Sequence, residues 1–165
     1  MEIIEKVTKS GIEIGKITRE EAHAKKIRHA LVHIILKNRK GEFLIQKRSE
    51  KKDLFPNYYE LTLSGHVEAN ENAAIAALRE LMEELKIKIP LKNLKLVGGF
   101  NLDSEEVSFI TLFIAKVFKM PKIGPEVKWI KWLPLEEIKN LMRKEKFTPG
   151  SIKALEMFEK EILEY

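Results

Sequence analysis

Glu80, Glu83 and Glu84 stand close together in the run Leu78-Arg-Glu-Leu-Met-Glu-Glu-Leu85, and their type and spacing could hold a hard cation. In a helix, Glu84 falls about 40° and Glu83 about 300° from Glu80, so the three share an arc roughly 100° wide. Ala73 and Ala76 fall in the same arc and put no bulk over the carboxylates. Ala74, Leu78, Leu81 and Leu85 form a separate stripe suited to a core. Like charges at this spacing cost a helix roughly a few tenths of a kcal/mol per pair. A divalent cation would reverse that cost, because Mg²⁺ takes oxygen ligands and is held by a few carboxylates together with substrate phosphate. On residue types alone, the chemistry is metal-assisted work on a polyanion.

The surrounding elements must hold that helix in place. Residues 2–7 and 12–17 flank Ser10-Gly11 and read as a hairpin. Thr18-Arg-Glu-Glu21 has a capping-box pattern that opens a short helix to Lys26. Ala30 to Leu36 is an apolar strand run, followed by the turn Asn38-Arg-Lys-Gly41 and a strand from Glu42 to Lys47. A polar loop, Ser49 to Asn57, leads to a strand over Tyr59 to Ser64, and the long helix runs from Glu71 to Leu85. Strands follow at 93–100, 107–118 and 126–132. Pro134 opens a helix, and Ser151 begins the last one, amphipathic through Ile152, Leu155, Phe158 and Ile162. Strands and helices in this order fit a mixed sheet with helices on its faces.

Composition narrows the function. The chain has 165 residues, 44% hydrophobic and 33% charged, a globular balance with enough length for one substantial core. No apolar run approaches the roughly 20 residues of a membrane span, and the charged N-terminal residues do not read as a secretory signal. The absence of cysteine excludes disulfides and thiolate chemistry and fits a reducing cytoplasm. The net charge of +5 suits an anionic partner, but Lys and Glu are interleaved as on a solvated surface, so no specific nucleic-acid partner is expected.

From Gly65 the chain has five residues to Glu71, seven more to Arg79-Glu80, then Leu81, Met82, Glu83-Glu84, Leu85, Lys86 and Ile87. This spacing resembles the Nudix box and departs from it only at Lys86, where the box has glycine. Glycine just past a helix end serves a left-handed cap, so lysine there costs on the order of 1 kcal/mol or lets the helix run on. Asn70 stands where many relatives have glycine, and asparagine tolerates the left-handed conformation. Gly15-Lys-Ile-Thr18, His23, Arg28-His29-Ala30, Phe43 to Arg48 and Ser64-Gly65-His66 are similar to the branch of isopentenyl-diphosphate isomerases and the hydrolases that look like them. Trp129-Ile-Lys-Trp132-Leu-Pro-Leu-Glu-Glu-Ile138 looks like the closing strand and helix of such a domain.

The resemblance implies an α+β fold, a Nudix-like α/β/α sandwich with a mixed central sheet. It would form a single domain over 1–165, with an N-terminal hairpin at 2–17, the box-like loop and helix at 65–87 and C-terminal helices at 135–163. It implies a hydrolase that opens a phosphoanhydride bond in a nucleoside diphosphate linked to another moiety. Mg²⁺ (or Mn²⁺) would sit on Glu80, Glu83, Glu84 and the carbonyl of Gly65. Glu83, Glu84 or the loop residue Glu106 would be the catalytic carboxylate, and a Glu71–Arg79 salt bridge would brace the loop against the helix. His23, His29 and His66 sit where the isomerases have metal-binding histidines, a second site favouring zinc or manganese. Arg48, Phe55 and Tyr59 are candidate substrate contacts, and Lys47, Lys51 and Lys52 could meet phosphate.

Two other activities compete with hydrolysis: isopentenyl-diphosphate isomerisation and non-catalytic nucleotide binding. The isomerases carry a cysteine just before the Gly-His pair, and Ser64, whose hydroxyl pKa is far too high for the same proton transfer, stands there instead. The intact carboxylate set argues against a pure binder. His33 lies in an apolar run and reads as packed in the sheet; Trp129 and Trp132, three apart, should face opposite sides of it. The N-terminal hairpin could pair across a homodimer.

Overall fold

The computed structural model describes all residues, 1–165. Strand β1 (Ile3–Val7) pairs antiparallel with β2 (Glu13–Thr18), and helix α1 (Arg19–Ala24) follows. The Thr18 hydroxyl accepts the Glu21 amide, so the capping residue is the one the sequence indicates. Next come β3 (His29–Lys37) and β4 (Phe43–Arg48), joined by a turn in which Asn38 Oδ1 accepts the amides of Lys40 and Glu42. The remaining elements are β5 (Tyr59–Leu61), β6 (Leu63–His66), α2 (Ala73–Leu85), β7 (Lys95–Asp103), β8 (Val107–Lys116), β9 (Val127–Leu133), α3 (Leu135–Met142) and α4 (Pro149–Glu164).

The sheet is mixed because β3 runs parallel to β8 and antiparallel to β6, while β4 pairs antiparallel with β5 and β9. Alternation along β3 divides the apolar side chains between two cores. Val32, Ile34 and Leu36 pack with Leu81 and Leu85 of α2; Leu31 and Ile35 pack with Ile138 of α3 and Leu155 of α4. This is an α/β/α sandwich of the α+β class. Trp129 packs against the second core and Trp132 against the first, on opposite faces as their spacing requires.

The segment read as one strand over 59–64 is two. At Thr62 the backbone turns to φ 57°, and the chain changes partner from β4 to β3. A β-branched residue rarely adopts that conformation. Here the Thr62 hydroxyl donates to the Leu44 carbonyl at 2.8 Å and accepts the Leu36 amide at 2.9 Å, joining the strands at the crossing. His33 is fully buried, its Nε2 donating to the Leu61 carbonyl at 2.7 Å.

Helix α2 starts two residues later than the sequence reading, because Asn72 caps it by accepting the Ile75 amide. It ends at Leu85. Lys86 takes φ 55°, ψ 31°, so the lysine adopts the left-handed cap rather than extending the helix. Asn70 is left-handed too, at φ 69°. The buried face of α2 is turned further toward the carboxylates than the leucine stripe indicates. Ala76, Ala77, Glu80 and Glu84 are buried with Leu81 and Leu85, whereas Ala74 and Leu78 are half-buried. Ala76 therefore belongs to the core rather than to an open acidic face. The end of α2 is fixed by the 119–126 segment, whose Lys122 and Gly124 amides donate to the carbonyls of Leu85 and Glu84.

Candidate active site

A brace between loop and helix builds the first part of the site. Arg79 donates through Nε and Nη2 to the two oxygens of Glu71, at 3.0 and 2.9 Å, and through Nη2 to the His66 carbonyl at 2.8 Å. The planar guanidinium thus ties the start of α2 to the end of β6 with a two-pronged bond. Its Nη1 reaches Glu80 at 2.7 Å and Glu83 at 3.3 Å. Close by, a Cβ built on Gly65 would lie 2.1 Å from the Glu80 carboxyl carbon. Only glycine lets that carboxylate lie against the strand backbone.

The three box glutamates share one side of α2, but their oxygens do not meet at a point. Glu80 and Glu84 are buried, whereas the Glu83 side chain is 57% exposed. Glu84 has both oxygens occupied: Gln46 Nε2 donates to Oε2 at 3.0 Å and Lys52 Nζ to Oε1 at 3.3 Å. Burial pushes the Glu80 carboxyl up to about 8 against the pull of Arg79, and Glu84 and Glu83 add to the rise. Burial also raises Glu84, against Lys52 and with Glu60 pushing the same way. Buried carboxylates that repel one another and offer only oxygen could hold a hard divalent ion.

The second part is a four-residue cluster drawn from four elements. His23 of α1, His29 of β3, His66 of β6 and Glu106 of the β7–β8 turn place one donor atom each within 4.8 Å of the others. Nε2 of His23, His29 and His66 lies 3.5, 3.4 and 3.5 Å from the same oxygen, Glu106 Oε1. Each outer nitrogen also has a partner. His29 Nδ1 donates to the Ile27 carbonyl at 2.9 Å; His23 Nδ1 faces Asp53 at 3.5 Å and His66 Nδ1 faces Glu2 at 3.4 Å. Outer nitrogens held by carboxylates or carbonyls while inner ones converge is the pattern of metal-ligating histidines. Burial opposes ionisation of Glu106, yet the hydrogen bonds from His23, His29 and His66 hold it well below the usual carboxylate range.

Both parts open on one cleft, partly open to solvent. Arg19, Lys52 and Arg79 bring positive charge to it; Glu80, Glu83, Glu106 and Glu126 bring negative. Leu31 and Leu54 are its only apolar side chains, and no Phe, Tyr or Trp lines it.

The candidate substrate contacts are distributed differently. Arg48 reaches the cleft, but it is buried and its donors are engaged by Glu60 at 2.9 Å and the carbonyls of Phe55 and Leu54. It shapes the wall. Phe55 lines a smaller chamber beneath the cleft, beside Ser64 and Glu106. Tyr59 is on the other face of the sheet, stacked on Phe147 and edge-on to Trp129, because Glu60, its neighbour on β5, takes the cleft side. Sequence reasoning did not single out Gln46, which bonds Glu84, or Glu60, which accepts from Arg48 and from Ser64 Oγ at 2.6 Å. Glu60 was marked only as a polar residue between apolar ones in a short strand, and Gln46, between Ile45 and Lys47, lacked even that signal.

A family model described as the NUDIX domain matches residues 27–158. The Nudix hydrolase YfcD of Salmonella typhi, described as uncharacterized, is 32% identical over 152 residues, covering 88% of this chain and 78% of that protein. Among solved structures, DR0079 from Deinococcus radiodurans superposes with a TM-score of 0.82 at 23% identity, covering 95% of this chain and 99% of that one. The NUDIX domain of Shewanella oneidensis NrtR, solved with ADP ribose, gives a TM-score of 0.66 at 17% identity, covering 88% and 99%. These two structures share the fold.

Proposed function

The chain belongs to the NUDIX domain family and is a Nudix-type pyrophosphohydrolase; from that premise we propose that it opens the phosphoanhydride of a nucleoside diphosphate linked to another moiety. Glu80, Glu83, Glu84 and the Gly65 carbonyl would hold Mg²⁺ or Mn²⁺, with Mg²⁺ the working ion. A divalent ion held there would supply charge neutralisation for the diphosphate and Lewis acidity at phosphorus. The observation that carries this reading is the space left by the missing Gly65 side chain, which admits the Glu80 carboxylate against the strand. Glu71 and Arg79 hold loop and helix in register rather than touch substrate.

Glu83, the most exposed of the three, takes the proton from attacking water. Glu106, drawn to the imidazoles and held ionised, is the weaker base and belongs with the histidines. Lys52 and Arg19 are the cations that face substrate phosphate across the cleft. ADP ribose, the ligand of the Shewanella neighbour, is a compound of the proposed class. The test is pyrophosphate or monophosphate release from a panel of dinucleotides, sugar nucleotides and deoxynucleotides in Mg²⁺ or Mn²⁺, comparing wild type with Glu84→Gln. Equal turnover by both proteins would reject the assignment.

The cluster of His23, His29, His66 and Glu106 favours membership of the isomerase-like branch, with a second ion of zinc or manganese type. Ser64 turns its chemistry to hydrolysis, since the hydroxyl is tied to Glu60 and no thiol replaces it. Incubation with isopentenyl diphosphate should yield no dimethylallyl diphosphate; its appearance would restore the isomerase. A reducing cytoplasm suits a chain without cysteine, and the edge strand β2 is where a homodimer would form.

A further inference from the structure

Lys52 sits where a cation is needed. It lies on the loop between β4 and β5, yet its side chain is only 16% exposed, and its ammonium reaches both Glu84 Oε1 and the Glu126 carboxylate. Gln46 occupies the other oxygen of Glu84, so Oε1 is the one that must serve an incoming ion. The loop is fixed around this lysine. The Ser49 amide donates to the Glu126 carbonyl, Arg48 holds the carbonyls of Leu54 and Phe55, and Asp53 accepts Arg19 Nη2 at 2.6 Å. Asp53 also faces His23 of the imidazole cluster. Lys52 and Asp53, neighbours in sequence, therefore fasten one loop to both halves of the cleft.

We propose that Lys52 is a positioning residue for the box carboxylates: its ammonium takes the place of a divalent ion at Glu84 and Glu126, and a metal ion enters only as Lys52 leaves. This inference rests on the reading of Glu80, Glu83 and Glu84 as the metal-binding face. Two cations cannot share Glu84 Oε1 in a buried setting without strong mutual repulsion. Without metal, Lys52 keeps Glu84 and Glu126 together despite their like charge. With metal, the loop loses its anchor at Lys52 while Ser49 and Arg48 still hold its flanks.

The experiment is Mn²⁺ titration followed by electron paramagnetic resonance, in a His29→Ala/Glu106→Gln background that leaves the imidazole cluster only two donors. Hydrogen exchange of the amides of residues 50–53 is measured with and without Mn²⁺. Lys52→Met should bind Mn²⁺ about tenfold tighter than its parent, while Lys52→Arg, which keeps the charge, should stay within about threefold. The 50–53 amides of the parent should exchange faster once Mn²⁺ is bound. Lys52→Gln gives the same reading should the methionine variant fail to fold. If Glu84→Gln weakens Mn²⁺ binding but neither neutral Lys52 variant tightens it, the placeholder role is overturned and the metal face stands. If Glu84→Gln leaves Mn²⁺ binding unchanged, both fall.

Discussion

Replacing Glu80 by glutamine makes the electrostatics of the box measurable without turnover. The folded protein holds this carboxyl at about 8 instead of its ordinary 4.5, chiefly because it is buried. An acid raised on folding binds its proton more tightly in the native state, so its contribution to stability is present below pH 4.5 and lost as pH rises through 8. A shift of that size is worth about 5 kcal/mol in full, of which roughly 4 kcal/mol falls between pH 5 and pH 9. Glutamine imitates the protonated acid and has no such loss. In EDTA, urea unfolding of Glu80→Gln and wild type should therefore diverge as pH rises, the variant gaining about 3–4 kcal/mol relative to wild type from pH 5 to pH 9. The difference between the two proteins cancels the histidines, which titrate in both. With saturating Mg²⁺ or Mn²⁺ the order reverses at high pH, because only the wild-type carboxylate gains from the ion. A gap that stays constant within about 1 kcal/mol across this range in EDTA would refute the assignment of Glu80 as a buried acid awaiting a cation.

Gly65→Ala should push the Glu80 carboxylate off the strand, since the added carbon would stand 2.1 Å from it; melting should show a loss of about 1–3 kcal/mol, and Mn²⁺ titration about tenfold weaker binding. Lys86→Gly should stabilise the protein by about 0.5–1 kcal/mol, because the left-handed cap at φ 55° suits glycine; thermal unfolding would rise by roughly 1–4 °C with turnover unchanged. Glu106→Gln should lower zinc or manganese content at the imidazole cluster about 10- to 100-fold by elemental analysis of protein purified with the metal, leaving the Glu84-dependent Mn²⁺ site occupied.

The box was legible because its geometry is local. Gly65, Glu71, Arg79 and the three glutamates lie on one loop and one helix, so helical periodicity alone places the carboxylates on one side. Periodicity does not say how far the helix rolls onto the sheet, and that roll separates buried Glu80 and Glu84 from exposed Glu83. Gln46, Glu60 and Lys52 were harder to place, because their roles depend on pairing across β4, β5 and α2, which residue spacing does not encode. Thr62 shows the same limit: its strand-like neighbours hide a left-handed break that only its bonds to β3 and β4 sustain.

The imidazole cluster lies between these cases. Resemblance singled out three histidines and the loop glutamate, but their meeting follows from strand register. His66 pairs with Leu31, two positions along β3 from His29, so alternation sets both imidazoles on one face of the sheet. The parallel pairing of His29 with Ser108 brings the β7–β8 turn, and Glu106 with it, to the same end. His23 is carried in by α1, whose start is fixed by the Thr18 cap at the close of the hairpin. A one-residue slip of β6 against β3 would turn His66 to the other face and move Gly65 away from Glu80. One register therefore builds both halves of the cleft, and neither set of candidate ligands can be displaced along β6 without losing the other.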